Sequence, residues 1–313
     1  MKHKIIAIAG PTASGKTALS IDIAKKYGGE IVSCDSMQVY KKMNIGTAKP
    51  SSEEMQGVLH HMIDILEPYE KFSAADFAIA AKKCIDDIIS RKKLPILVGG
   101  TGLYMDSVIN NTRFSDGGED KEYRLYLEKM ADEKGKRAVY LLLAEKDPKA
   151  AKEIHENNLK RVIRALEIYK VSGKTREEVV KESKREPIYD CLEMAISMPR
   201  EVLYERINRR VDIMVDAGLE NEVKEVYALC KGRDTTAMQA IGYKEFVKYF
   251  CGELTRDEVI EKIKQESRRY AKRQLTWLKR NDNIKWIVLQ DGYNYDTILK
   301  QGFTLTDNFG IIT

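Results

Sequence analysis

Eight residues near the amino end, Gly10, Pro11, Thr12, Ala13, Ser14, Gly15, Lys16 and Thr17, have the types and spacing needed to hold a phosphate chain. Two glycines five positions apart let the backbone turn so that its N–H groups point inward. A helix opening at the lysine offers its positive end to an anion. Lys16 adds a point charge, and the Thr17 hydroxyl suits a Mg²⁺ ligand. By average residue usage the pattern GxxxxGK[ST] would arise in about one chain in a hundred of this length. Here it also falls between an apolar run, residues 4–9, and a helical pattern that runs from Thr17 to Tyr27. A loop of this kind senses phosphates and not what they are attached to. A kinase acting on small molecules or nucleotides therefore remains an alternative on these residues alone.

A phosphate grip needs a second group to do chemistry. Residues 30–34 (EIVSC) read as a strand that ends at Asp35, with Ser36 and Gln38 beside it. An ATPase would add an apolar strand ending in an aspartate for Mg²⁺, yet LPILV at 94–98 ends in Gly99, Gly100 and Thr101. Asp35 is the strand-end acid, and its polar neighbours suggest substrate contact as much as metal binding. The ordinary use of such an aspartate is as a cap.

Elements that would position these groups follow from the hydrophobic pattern. Short apolar strands alternate with helical stretches, and a capping box at Ser73 and Asp76 opens a helix with Phe77, Ala81 and Ile85 on one face. This is the signature of an α/β protein with a parallel sheet, a P-loop NTPase-like core. The stretch at 115–120 is polar and turn-rich, and helical patterns dominate from there to about residue 190. We expect residues 1–114 and 191–313 to form the catalytic core, with 115–190 a mostly helical insertion domain. Strand pattern resumes at 189–198. Helices are predicted at 200–217, stopped by Gly218, and at 219–230, 236–250 and 255–280.

Composition limits the partners. The chain has 313 residues, a net charge of +5 and five scattered cysteines with no CxxC pair, so neither a zinc knuckle nor a disulfide framework is supported. No apolar run is long enough for a membrane span, and a cytoplasmic protein is expected. Basic residues concentrate between Arg268 and Lys285, where Asp282 is the single acid. A focused basic stripe favours a polyanion.

GPTASGKT is followed by DSMQVYKKMNIGTAKP (35–50), HHMID (60–64), FSAADF (72–77), LVGGTGLY (97–104), RVIRALE (161–167) and KRQLTWLKR (272–280). With these segments the chain resembles the tRNA dimethylallyltransferase (tRNA isopentenyltransferase) family in its shorter, bacterial form, from residue 4 to about 288. The resemblance implies transfer of a dimethylallyl group from dimethylallyl diphosphate to N6 of adenine 37 of tRNA, with Mg²⁺ as cofactor and the insertion clamping the anticodon stem-loop. It makes Asp35 the general base. It places Arg210, with Lys16, on the leaving diphosphate, and sets Thr101, Ser36, Met37 and Gln38 around a flipped adenine. It assigns tRNA contacts to Arg124, Lys160, Arg161, Val162, Ile163 and Arg164, and more weakly to Arg273 and Gln274. A monomer without membrane partners is the default expectation.

Overall fold

The computed structural model describes residues 2–114, 120–183, 185–233, 235–290 and 292–311. Of the polar turn at 115–120, only Asp120 lies within the described residues. The chain divides into two compact units, Met1–Ile109 with Ile188–Thr313, and Asn110–Pro187.

The first unit is built on β1 (His3–Ala9), β2 (Gly29–Cys34), β3 (His60–His61), β4 (Leu94–Gly99), β5 (Tyr189–Ser197) and β6 (Lys285–Val288), in the order β3-β2-β4-β1-β5-β6 with every pairing parallel. The run of apolar residues in β1 is what a strand covered on both faces requires. Ile6 and Ile8 pack with residues of helices Lys16–Tyr27, Arg200–Asp216 and Tyr295–Asn308. Ile5, Ala7 and Ala9 turn the other way, toward helices Ala74–Ser90 and Gly102–Ile109. Ile5, Ile6 and Ile8 are fully buried, each contributing about 1.5–3 kcal/mol.

This order has one consequence for function. β4 lies between β1 and β2, so the loops leaving the carboxyl ends of all three strands open side by side. They carry Gly10–Gly15, Asp35 and Gly99–Thr101. The crevice beyond the carboxyl ends of a parallel sheet is where such folds bind ligands.

Three features depart from the sequence expectations. His60–His61 and Lys285–Val288 are the sheet's outer strands, two and four residues long and so too short to show a period. The helix predicted over 236–250 is interrupted. A 3₁₀ turn, Ala237–Gln239, precedes helix Tyr243–Phe250, and Gly242 between them sits at φ 99°, which ends helical geometry. The unassigned tail contains helix Tyr295–Asn308, which lies on the P-loop helix: Tyr27 donates to Asp307 Oδ1 at 2.6 Å, and Gly302 admits the Leu19 side chain.

The second unit holds helices Lys121–Lys134, Lys136–Lys146, Pro148–Glu153, Leu159–Ser172 and Arg176–Ser183. Their apolar stripes meet in a core of its own that includes Leu127, Val139, Leu143, Val162 and Leu166.

Candidate active site

The P-loop takes the shape its glycines allow. Gly15 adopts φ 95° as the residue before helix Lys16–Tyr27, and Ala13 is also left-handed at φ 63°. Arg206 holds Ala13 in place, donating from Nε to its carbonyl at 2.9 Å while its guanidinium lies 3.5 Å from the Tyr293 ring centroid. Arg210, one helical turn further on, donates to Thr12 Oγ1 at 3.4 Å. Lys16 Nζ donates to the Pro11 carbonyl at 3.3 Å. The Ser14 hydroxyl oxygen is buried and has no partner among the described residues.

Three cations thus gather on one loop. Burial pushes Lys16 down to about 8, repulsion from Arg210 adds to the shift, and the Asp35 carboxylate opposes it. Arg210 is also held below its usual value, first by burial and then by Arg206, with Glu54 and Asp35 acting against them. Like charges held close in a partly dry site cost free energy that a bound anion would offset.

Across a cavity of about 320 Å³ stand the groups from the neighbouring strands. Its lining includes Thr12, Lys16, Thr17, Asp35, Arg210 and Tyr270. Asp35 Oδ1 accepts from the Met37 amide at 2.8 Å and the Gln38 amide at 3.3 Å. The cap role is real, and it occupies one carboxylate oxygen. Thr101 Oγ1 accepts from the Ser36 amide at 3.2 Å and lies 3.4 Å from Ser36 Oγ, tying β4 to the Asp35 turn. Gln38 also lines the cavity, but its side chain is engaged: Nε2 donates to the Thr47 and Ala48 carbonyls at 3.2 and 3.3 Å, and Oε1 accepts from Ser33 at 3.0 Å.

Two contributions were not anticipated. Tyr270 faces the same cavity, and burial, reinforced by the Asp35 charge, raises its hydroxyl to about 12, so it stays a neutral donor. Gln274 is a clip, not a surface residue. It is buried, accepts from the Thr12 amide at 3.0 Å and donates to the Gly100 carbonyl at 3.0 Å. Spacing held the signal for both, because Tyr270, Arg273 and Gln274 at i, i+3 and i+4 share one face of helix Arg256–Leu278. Arg273 lines the cavity while remaining largely exposed.

Gln274→Ala is expected to strand the Thr12 N–H and the Gly100 C=O. Each buried group left unpaired costs about 1–3 kcal/mol. The melting temperature should fall by roughly 3–8 °C, measured by calorimetry, and an unchanged melting temperature would remove the clip.

In the helical unit the predicted RNA residues separate. Lys160 and Arg161 are exposed at the start of helix Leu159–Ser172. Val162 and Ile163 are buried in the unit's core: at these two positions the side chains fill the helix's apolar face and are not free to reach RNA. Arg124 and Arg164 converge on the buried Glu167 carboxylate, Arg124 Nε at 2.7 Å and Arg164 through Nη1. Burial raises the pKa of Glu167, but the hydrogen bonds from both arginines outweigh it and leave the group below its usual value.

A family model described as IPP transferase matches residues 38–281. A tRNA dimethylallyltransferase of Bacillus cytotoxicus is 48% identical over 96% of this chain and 94% of its own length. One from Caldanaerobacter subterraneus is 48% identical over 97% of each. Among solved structures, the full-length tRNA isopentenylpyrophosphate transferase of Bacillus halodurans aligns with a TM-score of 0.74 at 46% identity, covering 98% of this chain and 97% of that one. A eukaryotic dimethylallyltransferase acting on tRNA aligns with a TM-score of 0.82 at 31% identity, covering 98% and 79%.

Proposed function

Because this chain belongs to the IPP transferase family, the tRNA dimethylallyltransferases, and so transfers a dimethylallyl group to tRNA, we propose that the donor is dimethylallyl diphosphate and the acceptor N6 of adenine 37, beside the anticodon. The observation that carries this reading is the pairing across one cavity of a cation-rich phosphate loop with a strand-end carboxylate.

The chemistry divides between the two sides. An exocyclic adenine amine is a weak nucleophile, since its lone pair is delocalised into the ring. As N6 attacks the allylic carbon, the N–H proton passes to the Asp35 carboxylate. The C–O bond to the donor breaks, and its electron pair leaves with the diphosphate. Lys16, Arg210 and the P-loop amides stabilise the charge that builds on that oxygen. Thr101 and Ser36 hold the turn that aims Asp35. An adenine stacked in an anticodon loop is out of reach, so the base is flipped into the cavity.

Mg²⁺ fits the groups present. The Thr17 hydroxyl, beside the lysine on the cavity wall, suits an ion that keeps several waters and takes phosphate oxygens as its other ligands. When bound it would neutralise part of the diphosphate charge.

For the RNA, the exposed Lys160 and Arg161 suit phosphates of the anticodon stem, and the basic residues of helix Arg256–Leu278 add to them. Arg124 and Arg164 are tied to Glu167 of helix Leu159–Ser172 and reach RNA only with their remaining donors. No helix among the described residues is long and apolar enough to cross a membrane, and we place the enzyme in the cytoplasm, as a monomer.

The deciding experiment is mass spectrometry of tRNA digests after incubation with dimethylallyl diphosphate and Mg²⁺. The expected product is an anticodon-loop fragment heavier by one C5 prenyl unit, with the gain located on adenine 37. ATP is the parallel donor. Phosphate transfer from ATP with no prenylation would favour the kinase reading.

A further inference from the structure

The segment that carries Asp35 and Gln38 does not end at the cavity wall. It continues through residues 39–48, and the far end of that loop is fastened by a single carboxylate. Glu222, in helix Leu219–Leu229, accepts from three successive amides: Oε2 from Asn44 at 2.7 Å and Ile45 at 2.8 Å, and Oε1 from Gly46 at 2.8 Å. Tyr243 donates its hydroxyl to the same Oε1 at 2.6 Å. Four donors on one carboxylate make a strong, directional attachment, because hydrogen bonds to an ionised acceptor are about twice as strong as neutral ones.

The packing is shaped for this attachment. A Cβ on Gly46 would meet the Tyr243 ring at 2.5 Å and Leu219 Cδ1 at 2.9 Å, so only glycine lets the loop lie this close to the two helices. Val39, Tyr40 and Met43 are fully buried against Leu219, Val223, Tyr243 and Phe246. The two residues after Gly46 are the ones that matter for the site. Thr47 and Ala48 present the carbonyls that hold Gln38 Nε2, and Gln38 Oε1 receives Ser33 from β2. Gly46, Thr47 and Ala48 themselves line the cavity.

We propose that Glu222 is a positioning residue for the transfer reaction: it clamps the amides of residues 44–46, and thereby sets the Thr47 and Ala48 carbonyls that orient Gln38 on the acceptor side of the cavity. It touches no substrate. The inference rests on the reading of residues 35–38 as the acceptor side.

A simpler alternative is that Glu222 only stabilises the fold. Both roles predict a lower melting temperature, so stability does not discriminate. Coupling does. A double-mutant cycle with Glu222→Gln and Gln38→Ala, read as kcat/KM for tRNA at saturating donor, tests whether the two residues act as one unit. Glu222→Gln keeps the side chain's size and one acceptor oxygen but loses the charge and the second acceptor. Each single change is expected to lower kcat/KM about tenfold, and the double variant also about tenfold. A product near one hundredfold, or a Glu222→Gln enzyme with unchanged kcat/KM, overturns the proposal. The KM for dimethylallyl diphosphate at saturating tRNA serves as the internal check. It should stay within twofold in all three variants. Coupled effects that instead appear in the donor KM would keep the clamp but refute the acceptor-side reading, so the two failures are distinguishable. Tyr243→Phe removes one of the four donors and leaves the amides bound, and it should cost less than Glu222→Gln.

Discussion

Asp35→Asn should lower kcat by about 10²–10⁴-fold, the usual contribution of a positioned general base, while tRNA affinity stays within a few-fold. The substitution is chosen for what it preserves. Asp35 does two things at once: Oδ1 caps the turn by accepting from Met37 and Gln38, and the carboxylate as a whole is the candidate proton acceptor. Asparagine retains an oxygen for the cap and loses the basicity. Asp35→Ala loses both, so it should be at least as inactive and also less stable, by the cap's ~1 kcal/mol. Single-turnover transfer measured beside tRNA binding separates these effects. An Asn variant that turns over at near the normal rate would show that Asp35 is a turn residue whose charge the reaction does not use, and the base would have to be sought elsewhere in the cavity.

The Asp35 case also shows where sequence reading succeeds and where it stops. The P-loop was legible because its function is written in local backbone requirements: two glycines, a lysine and a hydroxyl at fixed offsets along one turn. β1, β2 and β4 were legible because strands covered on both faces must be nearly all apolar. What stayed hidden is set by distant partners. His60–His61 is a strand only because Ile31 and Val32 lie beside it, and nothing in two histidines announces that. Lys285–Val288 sits at the end of a basic stretch, so charge masked its pairing with β5. The resemblance singles out Gln274 only as a weak tRNA contact on a basic helix. Its role appears only when Thr12 and Gly100, far away in the chain, arrive on either side. For Val162 and Ile163 the family motif names positions, whereas the helical period, which was legible at Val162, decides which of them face the core.

Lys16 offers the second large effect, and one with a pH signature of its own. Lys16→Ala removes a preorganised cation from the leaving group and should lower kcat by about 10²–10³-fold, with a higher KM for the donor and tRNA affinity unchanged. In the unliganded enzyme burial, with repulsion from Arg210, holds this lysine at about 8. A bound diphosphate favours the charged form, so the pKa must rise on binding. Below pH 8 the ammonium is already present, and donor affinity should not depend on this group. Above pH 8 binding has to take up a proton, and affinity should fall by about tenfold per pH unit until the bound-state pKa is passed. Titration calorimetry near pH 9 in two buffers of different ionisation enthalpy should report uptake of nearly one proton per donor bound, against almost none at pH 7. Lys16→Ala should abolish that uptake. Asp35 opposes the depression of Lys16, so Asp35→Asn should move the onset of the decline to lower pH. Equal proton uptake at both pH values would mean that the lysine is already relieved of its neighbours before the diphosphate arrives, and the crowded cations of the P-loop would lose their role in drawing it in.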